Sequence, residues 1–260
     1  MTTALAIAGS DSGGGAGLQA DLKTFAAHRV YGLSAVTAVT AQNSARIESI
    51  YPVPAAAVVE QIESVVSDFE VHAVKTGMLV NVSIVEAVAA TIETLKLPYL
   101  VVDPVILATS GERLLSKDAI AKVKTELFKG AQVVTPNRPE AELLTGCSIN
   151  SITEARDVAH RILDLGPAAV ILKGGHLPGD DIVDVLFDGH DFVEFRKPRI
   201  NTIHTHGSGC TFGAAVASGL ALGQTLTEAT QGATSYVEQA IRHASSIGHN
   251  HSPLEHFWRK

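Results

Sequence analysis

The sequence predicts an α/β fold: a doubly wound, mostly parallel sheet with helices on both faces and one small antiparallel hairpin. Three observations predict it. Short apolar runs alternate with segments of helical periodicity almost from end to end. The runs that read as strands are continuously apolar, as strands buried between two helix layers must be. Glycine-rich and polar loops follow one such run after another, placing turn chemistry on one edge of the sheet. The elements follow in order. Residues 4–8 read as a strand, Leu18, Leu22 and Phe25 recur at helical spacing, and residues 33–40 read as a buried strand. Val58, Ile62, Val65 and Phe69 make a helix face before a strand at 72–75, and Val85, Val88, Ile92 and Leu95 make another before 100–102. Ser116 is the N-cap of a helix carrying Ile120, Val123 and Leu127, which leads to a strand at 132–135. Pro139 suits a first helical position, and a helix over 153–165 precedes a buried strand at 168–172. The rhythm then breaks. Residues 185–187 and 192–195 flank Asp188-Gly189-His190-Asp191, the signature of an antiparallel hairpin. Two helices close the chain, one opening at about Gly209 and one begun by the capping box Thr225/Glu228, with Tyr236, Ala240 and Ala244 on one face. With no linker, repeat or low-complexity stretch, residues 1–260 read as a single domain.

Composition narrows the function classes. A chain of 260 residues with 46% hydrophobic residues and 22 glycines has the makings of a compact, turn-rich enzyme. The net charge of -7 and the absence of a Lys/Arg stripe argue against a nucleic-acid partner. Cys147 and Cys210 stand in no metal-ligand spacing, which fits a reducing, cytoplasmic setting. The N-terminus lacks a basic leader and the apolar runs stop short of a membrane span, so no membrane partner is expected.

The most informative segment is His206-Gly207-Ser208-Gly209-Cys210-Thr211, followed by a small-residue helix. Glycines at 207 and 209 let backbone N–H groups turn inward, and the helix N-terminus adds its positive dipole end. The pair makes an anion hole suited to a phosphate in transfer, with Cys210 where a reacting group would meet it. Six further loops lie on the same expected edge: GSDSGGGAG, AQN, TGM, DPV, TPNRPE and KGGH. Gly15-x-Gly17-x-x-Ala20 invites a dinucleotide-binding reading, but the second strand ends in Gln42 and Asn43 where that fold wants an acid for the ribose. A carboxamide donates and accepts side by side, matching the ring-nitrogen and amino edge of an aminopyrimidine. Neither a P-loop nor protein-kinase signatures occur. Lys173, at the end of a buried strand, can reach a γ-phosphate, and Asn137, Glu140 and Asp103 are candidates for phosphate-bound magnesium. His249, His251 and His256 lack a fourth ligand and are assigned no metal.

Together AIAGSDSGGGAGLQADLKTF, TAVTAQN, VKTGML, DPV with ATSG, TPNRPEAELL, ILKGGH, THGSGC and GHNHSPLEHFW resemble the bacterial hydroxymethylpyrimidine/phosphomethylpyrimidine kinases of thiamin biosynthesis, of ribokinase-like fold. The resemblance runs nearly end to end, with AQN and the last segments its most specific parts. It implies a kinase that uses Mg-ATP to phosphorylate the hydroxymethyl group of 4-amino-5-hydroxymethyl-2-methylpyrimidine and then its monophosphate. On this chain it implies Gln42, Asp21, Gly9, Ala16 and Met78 at the pyrimidine, and Cys210, Lys173, Gly207 and Gly209 at the reacting phosphate. It further implies Lys173, Asn137 and Ser208 at ATP, Asp103 and Glu140 at Mg2+, and a cytoplasmic homodimer. The chain departs from the family's usual residues at Ser208, Arg138 and His204. Pyridoxal kinase of the same fold is the nearest alternative, followed by a non-catalytic pyrimidine-binding protein.

Overall fold

The computed structural model describes residues 1–108, 111–175 and 180–258. Thr109 and Ser110 of ATSG and His176 of KGGH lie outside the described residues. The elements run β1 (Thr3–Asp11), α1 (Gly17–Ala27), β2 (Tyr31–Gln42), β3 (Ile47–Pro52), α2 (Ala55–Val66), β4 (Val74–Thr76), α3 (Val82–Thr94), β5 (Leu100–Val102) and α4 (Lys117–Lys122). They continue with β6 (Val133–Val134), α5 (Arg138–Thr145), α6 (Ile152–Leu163), β7 (Val170–Leu172), β8 (Asp181–Phe187), β9 (Phe192–Pro198), α7 (Ser208–Ala221) and α8 (Leu226–Arg242). The strands form one sheet in the order β3-β2-β1-β4-β5-β6-β7-β8-β9. β2, β1, β4, β5, β6 and β7 are parallel, while β3, β8 and β9 pair antiparallel.

The sheet separates two apolar layers, and the two-residue period of β1 shows why both must be covered. Leu5 and Ile7 face a layer built with Val58 and Ile62 of α2, Val85 and Val88 of α3, and Val158 and Ile162 of α6. Ala4, Ala6 and Ala8 face the other, against Phe25 of α1, Phe212 and Val216 of α7, and Ala233 and Tyr236 of α8. On the second side small meets small. Every residue of α7 from Thr211 to Ala221 is buried, so this helix is apolar all round and lies close on the alanine face of the sheet. The chain lays β2 on one side of β1 and all later parallel strands on the other, which puts the topological switch between the carboxyl ends of β1 and β4.

Several sequence expectations are met in detail. Ser116 caps α4 by accepting from the Ala119 N–H, the Thr225/Glu228 box opens α8, and the hairpin forms as β8 and β9. Others need correction. β3 had no signal, because IESIYP is an edge strand with no fully buried residue and so no apolar alternation. The periodicity through Val123 and Leu127 holds, but the helix widens there into a π-helical turn, Val123–Leu127, and tightens into a 3-10 turn at Phe128–Gly130. Phe69 lies beyond α2 and stacks on Tyr31 at 5.9 Å instead of extending the helix face, and Ala244 lies beyond α8. Pro139 takes the second helical position, since Asn137 is the cap and Arg138 comes first.

Candidate active site

All six loops at the carboxyl ends of the parallel strands open into one cavity of about 700 Å³. The loop after β1 contributes Gly9, Asp11 and Ala16, the end of β2 Gln42, and the loop after β4 Met78. Asp103 follows β5, Asn137 and Glu140 follow β6, and Lys173 follows β7. The start of α7 supplies Gly207, Ser208, Gly209 and Cys210 from above. Of the residues that the sequence assigned to the site, only Asp21 stays outside the cavity lining.

Asp21 is a correction with a plain cause. It stands three residues after Leu18 and four before Phe25, on the face of α1 that packs under the sheet. Its carboxylate is wholly buried and takes the Lys75 Nζ on both oxygens at 2.9 Å. Burial pushes the Asp21 carboxyl up to about 6 even against that ammonium; burial also works to lower Lys75, but Asp21 together with Cys210 and Asp103 outweighs it and holds the ammonium above its ordinary value. Lys75, not Asp21, borders the cavity. Sequence reasoning missed it, although a lysine inside the apolar run of β4 must find a buried partner.

The glycine turn before α7 forms as its residues lead one to expect. Gly207 caps α7 at φ +82°, and a Cβ there would stand 1.8 Å from the Gly15 carbonyl oxygen, so only glycine fits. The two glycine loops are tied together by Asp11. Its Oδ1 accepts the Gly13 N–H, and its Oδ2 accepts the N–H groups of Gly15 and Ala16 and lies 3.1 Å from His206 Nε2. Burial works to raise the Asp11 carboxyl, but His206 and the Ala16 and Gly13 N–H groups outweigh it and hold it below the usual carboxylate value. The GHNHSPLEHF tail braces this arrangement: Pro253 packs beside Gly15, Gly248 against Ser44, and His256 Nε2 meets Thr211 Oγ1 at 3.0 Å. Burial holds the His256 imidazole down at about 4.

Opposite the start of α7, Lys173 Nζ meets Asp103 Oδ1 at 2.9 Å, and a Cβ on Gly209 would lie 3.2 Å from the same ammonium. Burial opposes the charge on Lys173, yet Asp103 and Glu140 keep it above its ordinary value. Asn137 and Glu140 form a capping box: Asn137 Oδ1 accepts the Glu140 N–H and Glu140 Oε2 accepts the Asn137 N–H, both at 2.9 Å. Glu140 Oε1 takes the Ile106 N–H at 3.2 Å. Burial, reinforced by Asp103, pushes Glu140 up to about 7 against the pull of Lys173. Burial also pushes the Cys210 thiol up to about 11, partly offset by Lys75. The helix N-terminus therefore does not produce a resting thiolate.

Toward α8, Asp184 accepts from the Gly174 N–H at 2.9 Å, Lys197 Nζ at 2.7 Å and Thr234 Oγ1 at 3.2 Å. Lys197 lies 6.0 Å from the centre of the Phe212 ring, and Val237 and Ile241 complete an apolar wall. Asp11, Lys75, Asp184 and Lys197 are among the lining residues that the sequence reading did not assign; Asp11, among glycines at 13 and 15, carried the turn signal of an Asx residue.

Residues 11–255 match the family described as phosphomethylpyrimidine kinase. A hydroxymethylpyrimidine/phosphomethylpyrimidine kinase of Bacillus subtilis (strain 168) is 44% identical over 98% of this chain and 94% of its own. One of Synechococcus elongatus is 46% identical over 98% of this chain and 97% of its own. Among solved structures, an ADP complex of Bacillus subtilis pyridoxal kinase superposes with a TM-score of 0.91 at 35% identity, covering 98% of this chain and 97% of that one. A phosphomethylpyrimidine kinase from Clostridium difficile 630 gives 0.83 at 39% identity, covering 93% and 100%.

Proposed function

The chain belongs to the phosphomethylpyrimidine kinase family, and from that premise we propose how its cavity carries out two phosphoryl transfers to a hydroxymethylpyrimidine in thiamin biosynthesis. The protein is an enzyme, a hydroxymethylpyrimidine/phosphomethylpyrimidine kinase, and its fold is ribokinase-like. The convergence of six strand-end loops on one cavity that also holds the α7 anion hole carries the assignment of roles. At about 700 Å³ this cavity is in the upper half of the ~300–1,000 Å³ range of small-molecule sites, with room for an acceptor beside a nucleotide.

The pyrimidine takes the end lined by Gly9, Ala16, Gln42 and Met78. A Cβ at Gly9 would stand 2.3 Å from Met78 Cε, so the bare glycine and the methionine end lie close against each other and bound a flat apolar slot for a ring. Gln42 Oε1 accepts from Thr40 Oγ1 at 3.1 Å, which orients the amide and leaves its NH2 and a second oxygen lone pair for the aminopyrimidine edge. ATP, the phosphoryl donor, takes the end bounded by Asn137, Lys173, Ser208 and the apolar wall of α8, with its γ-phosphate at the N–H groups of Gly207 to Cys210. The acceptor hydroxymethyl oxygen attacks phosphorus in line, Lys173 and the anion hole hold the charge on the transferring group, and Cys210 takes the hydroxyl proton. Magnesium fits the donor set. Both hydrogen bonds to Asp103 land on Oδ1, leaving Oδ2 for the cation, and Glu140 adds a second carboxylate. Since no cluster of three metal-ligating side chains occurs among the described residues, phosphate oxygens and water would complete the shell, as is usual for Mg2+. When bound, it would neutralise phosphate charge. A cytoplasmic homodimer belongs to the same reading; no helix among the described residues is long and apolar enough to cross a membrane.

A coupled ADP-release assay tests the reading with hydroxymethylpyrimidine, its monophosphate, pyridoxal and pyridoxine as acceptors. The pyrimidines are expected to lead in kcat/KM. Gln42→Leu is expected to cost them about 1–3 kcal/mol of binding, with ATP binding unchanged, because the pyrimidine edge is left unpaired in a desolvated slot. A preference for pyridoxal would transfer the assignment to the pyridoxal-kinase activity of its structural neighbours.

A further inference from the structure

The Lys75–Asp21 pair has no part in the roles assigned above. Both side chains are wholly buried, and Asp21 is the only hydrogen-bond partner of Lys75 among the described residues. Fold stability does not account for such a pair, since an apolar pair of similar volume generally serves a core as well or better. Its orientation is informative. Lys75 belongs to the cavity lining whereas Asp21 does not, so the pair is set with its lysine toward the site and its carboxylate behind. Glycines keep the approach open: a Cβ at Gly77 would lie 3.0 Å from Lys75 Nζ, and one at Gly213 would lie 3.5 Å from Lys75 Cε. Gly213 stands three residues after Cys210, on the same face of α7, so the helix face that carries the thiol is the one seated over Lys75.

We propose that Lys75, held in place by Asp21, is a positioning residue that supplies the standing counter-charge for the Cys210 sulfur during phosphoryl transfer. The inference rests on Cys210 being the proton acceptor. In that step the hydroxymethyl O–H gives its proton to the Cys210 thiolate and its oxygen forms the new bond to the γ-phosphorus. The bond from that phosphorus to the ADP oxygen breaks, and Cys210 is left as a thiol, which returns its proton to water. An ammonium fixed under the helix face that carries the sulfur before ATP arrives lowers the cost of the thiolate that must form among phosphates. The other groups acting on this sulfur are Lys173 after β7, Asp103 after β5, Asp21 behind Lys75, and the Gly17 N–H, which favours the thiolate. The two carboxylates oppose the thiolate, and Lys75 offsets them together with Lys173.

The test reads the thiol directly. In a Cys147→Ser background, which leaves Cys210 as the one cysteine, the rate of alkylation by iodoacetamide is followed from pH 7 to 11. Asp21→Asn/Lys75→Met is expected to slow alkylation about tenfold or more at pH 9, the equivalent of a pKa unit or more, and to shift the inflection upward. Lys75→Arg, which keeps the charge, is expected to restore most of the rate. Asp21→Leu/Lys75→Met provides a second neutral pair should the first not fold. An alkylation profile unchanged in a folded neutral-pair variant overturns the proposal. Alkylation does not depend on turnover, so slowed alkylation with a Cys210→Ala enzyme that retains full activity would leave the counter-charge standing and remove only the base assignment.

Discussion

At Cys210 two effects compete, and the structure decides between them. A helix N-terminus stabilises a thiolate, but loss of water around the sulfur outweighs it and leaves the thiol up at about 11. A base with a raised pKa works better as it deprotonates, so turnover of the parent enzyme is expected to climb with pH from 7 toward 10. Cys210→Ala is expected to be slower by roughly 10²–10⁴-fold, the usual worth of general base help, and to lose that climb. Steady-state kinetics on both proteins across this range check it. A parent rate flat in pH, or an alanine variant as fast as the parent, would remove the thiol from the chemistry.

Two glycines of α7 occupy neighbouring positions but carry different burdens, and the difference belongs to the element as a whole. At Gly207 the backbone is left-handed and the obstruction is the Gly15 backbone at 1.8 Å, which neither loop can move without opening the anion hole. At Gly209 the nearest obstruction is the flexible end of Lys173 at 3.2 Å. Gly207→Ala is therefore expected to lower thermal stability by about 1–3 kcal/mol from backbone strain alone and to abolish measurable turnover. Gly209→Ala is expected to melt close to the parent and yet turn over more slowly, because it displaces the ammonium. Thermal melts beside kcat separate the two, and equal melting temperatures for both variants would contradict the assignment. The same element shows the limits of periodicity. The alanine face of β1 and the small residues of α7 are plain in the sequence, but their mutual closeness, and hence the seating of Gly213 over Lys75, is a packing result.

Across the whole molecule, one cavity must accept both the free alcohol and, for the second transfer, its monophosphate. In the proposed reading the anion hole and Lys173 serve the same role in both steps, so product analysis is expected to show two ADP formed per pyrimidine, with the diphosphate as the end product. Accumulation of the monophosphate with excess ATP would restrict the enzyme to the first step. This cavity exists because the sheet order reverses between β1 and β4 while the later strands keep adding on one side, bringing loops more than 150 residues apart to one edge, as with Asp11 and His206.

The fold class, nearly every buried strand, the Thr225/Glu228 capping box, the Ser116 cap, the glycine turn before α7 and the loop set that lines the cavity were legible in the residues alone. Each of these rests on local patterning: periodicity, turn residues and caps act within a few positions of one another. The fate of the charges was settled by long-range packing. Asp21 looked like a substrate contact and is instead the buried partner of Lys75, 54 residues away. Asp11 fastens the first loop to His206, and Asp184 holds Lys197 beside Phe212. The edge strand β3 also waited for the structure, since half-exposed residues carry no apolar alternation. A charge excluded from water must find its partner wherever the chain happens to bring one, and no spacing along the sequence records that meeting.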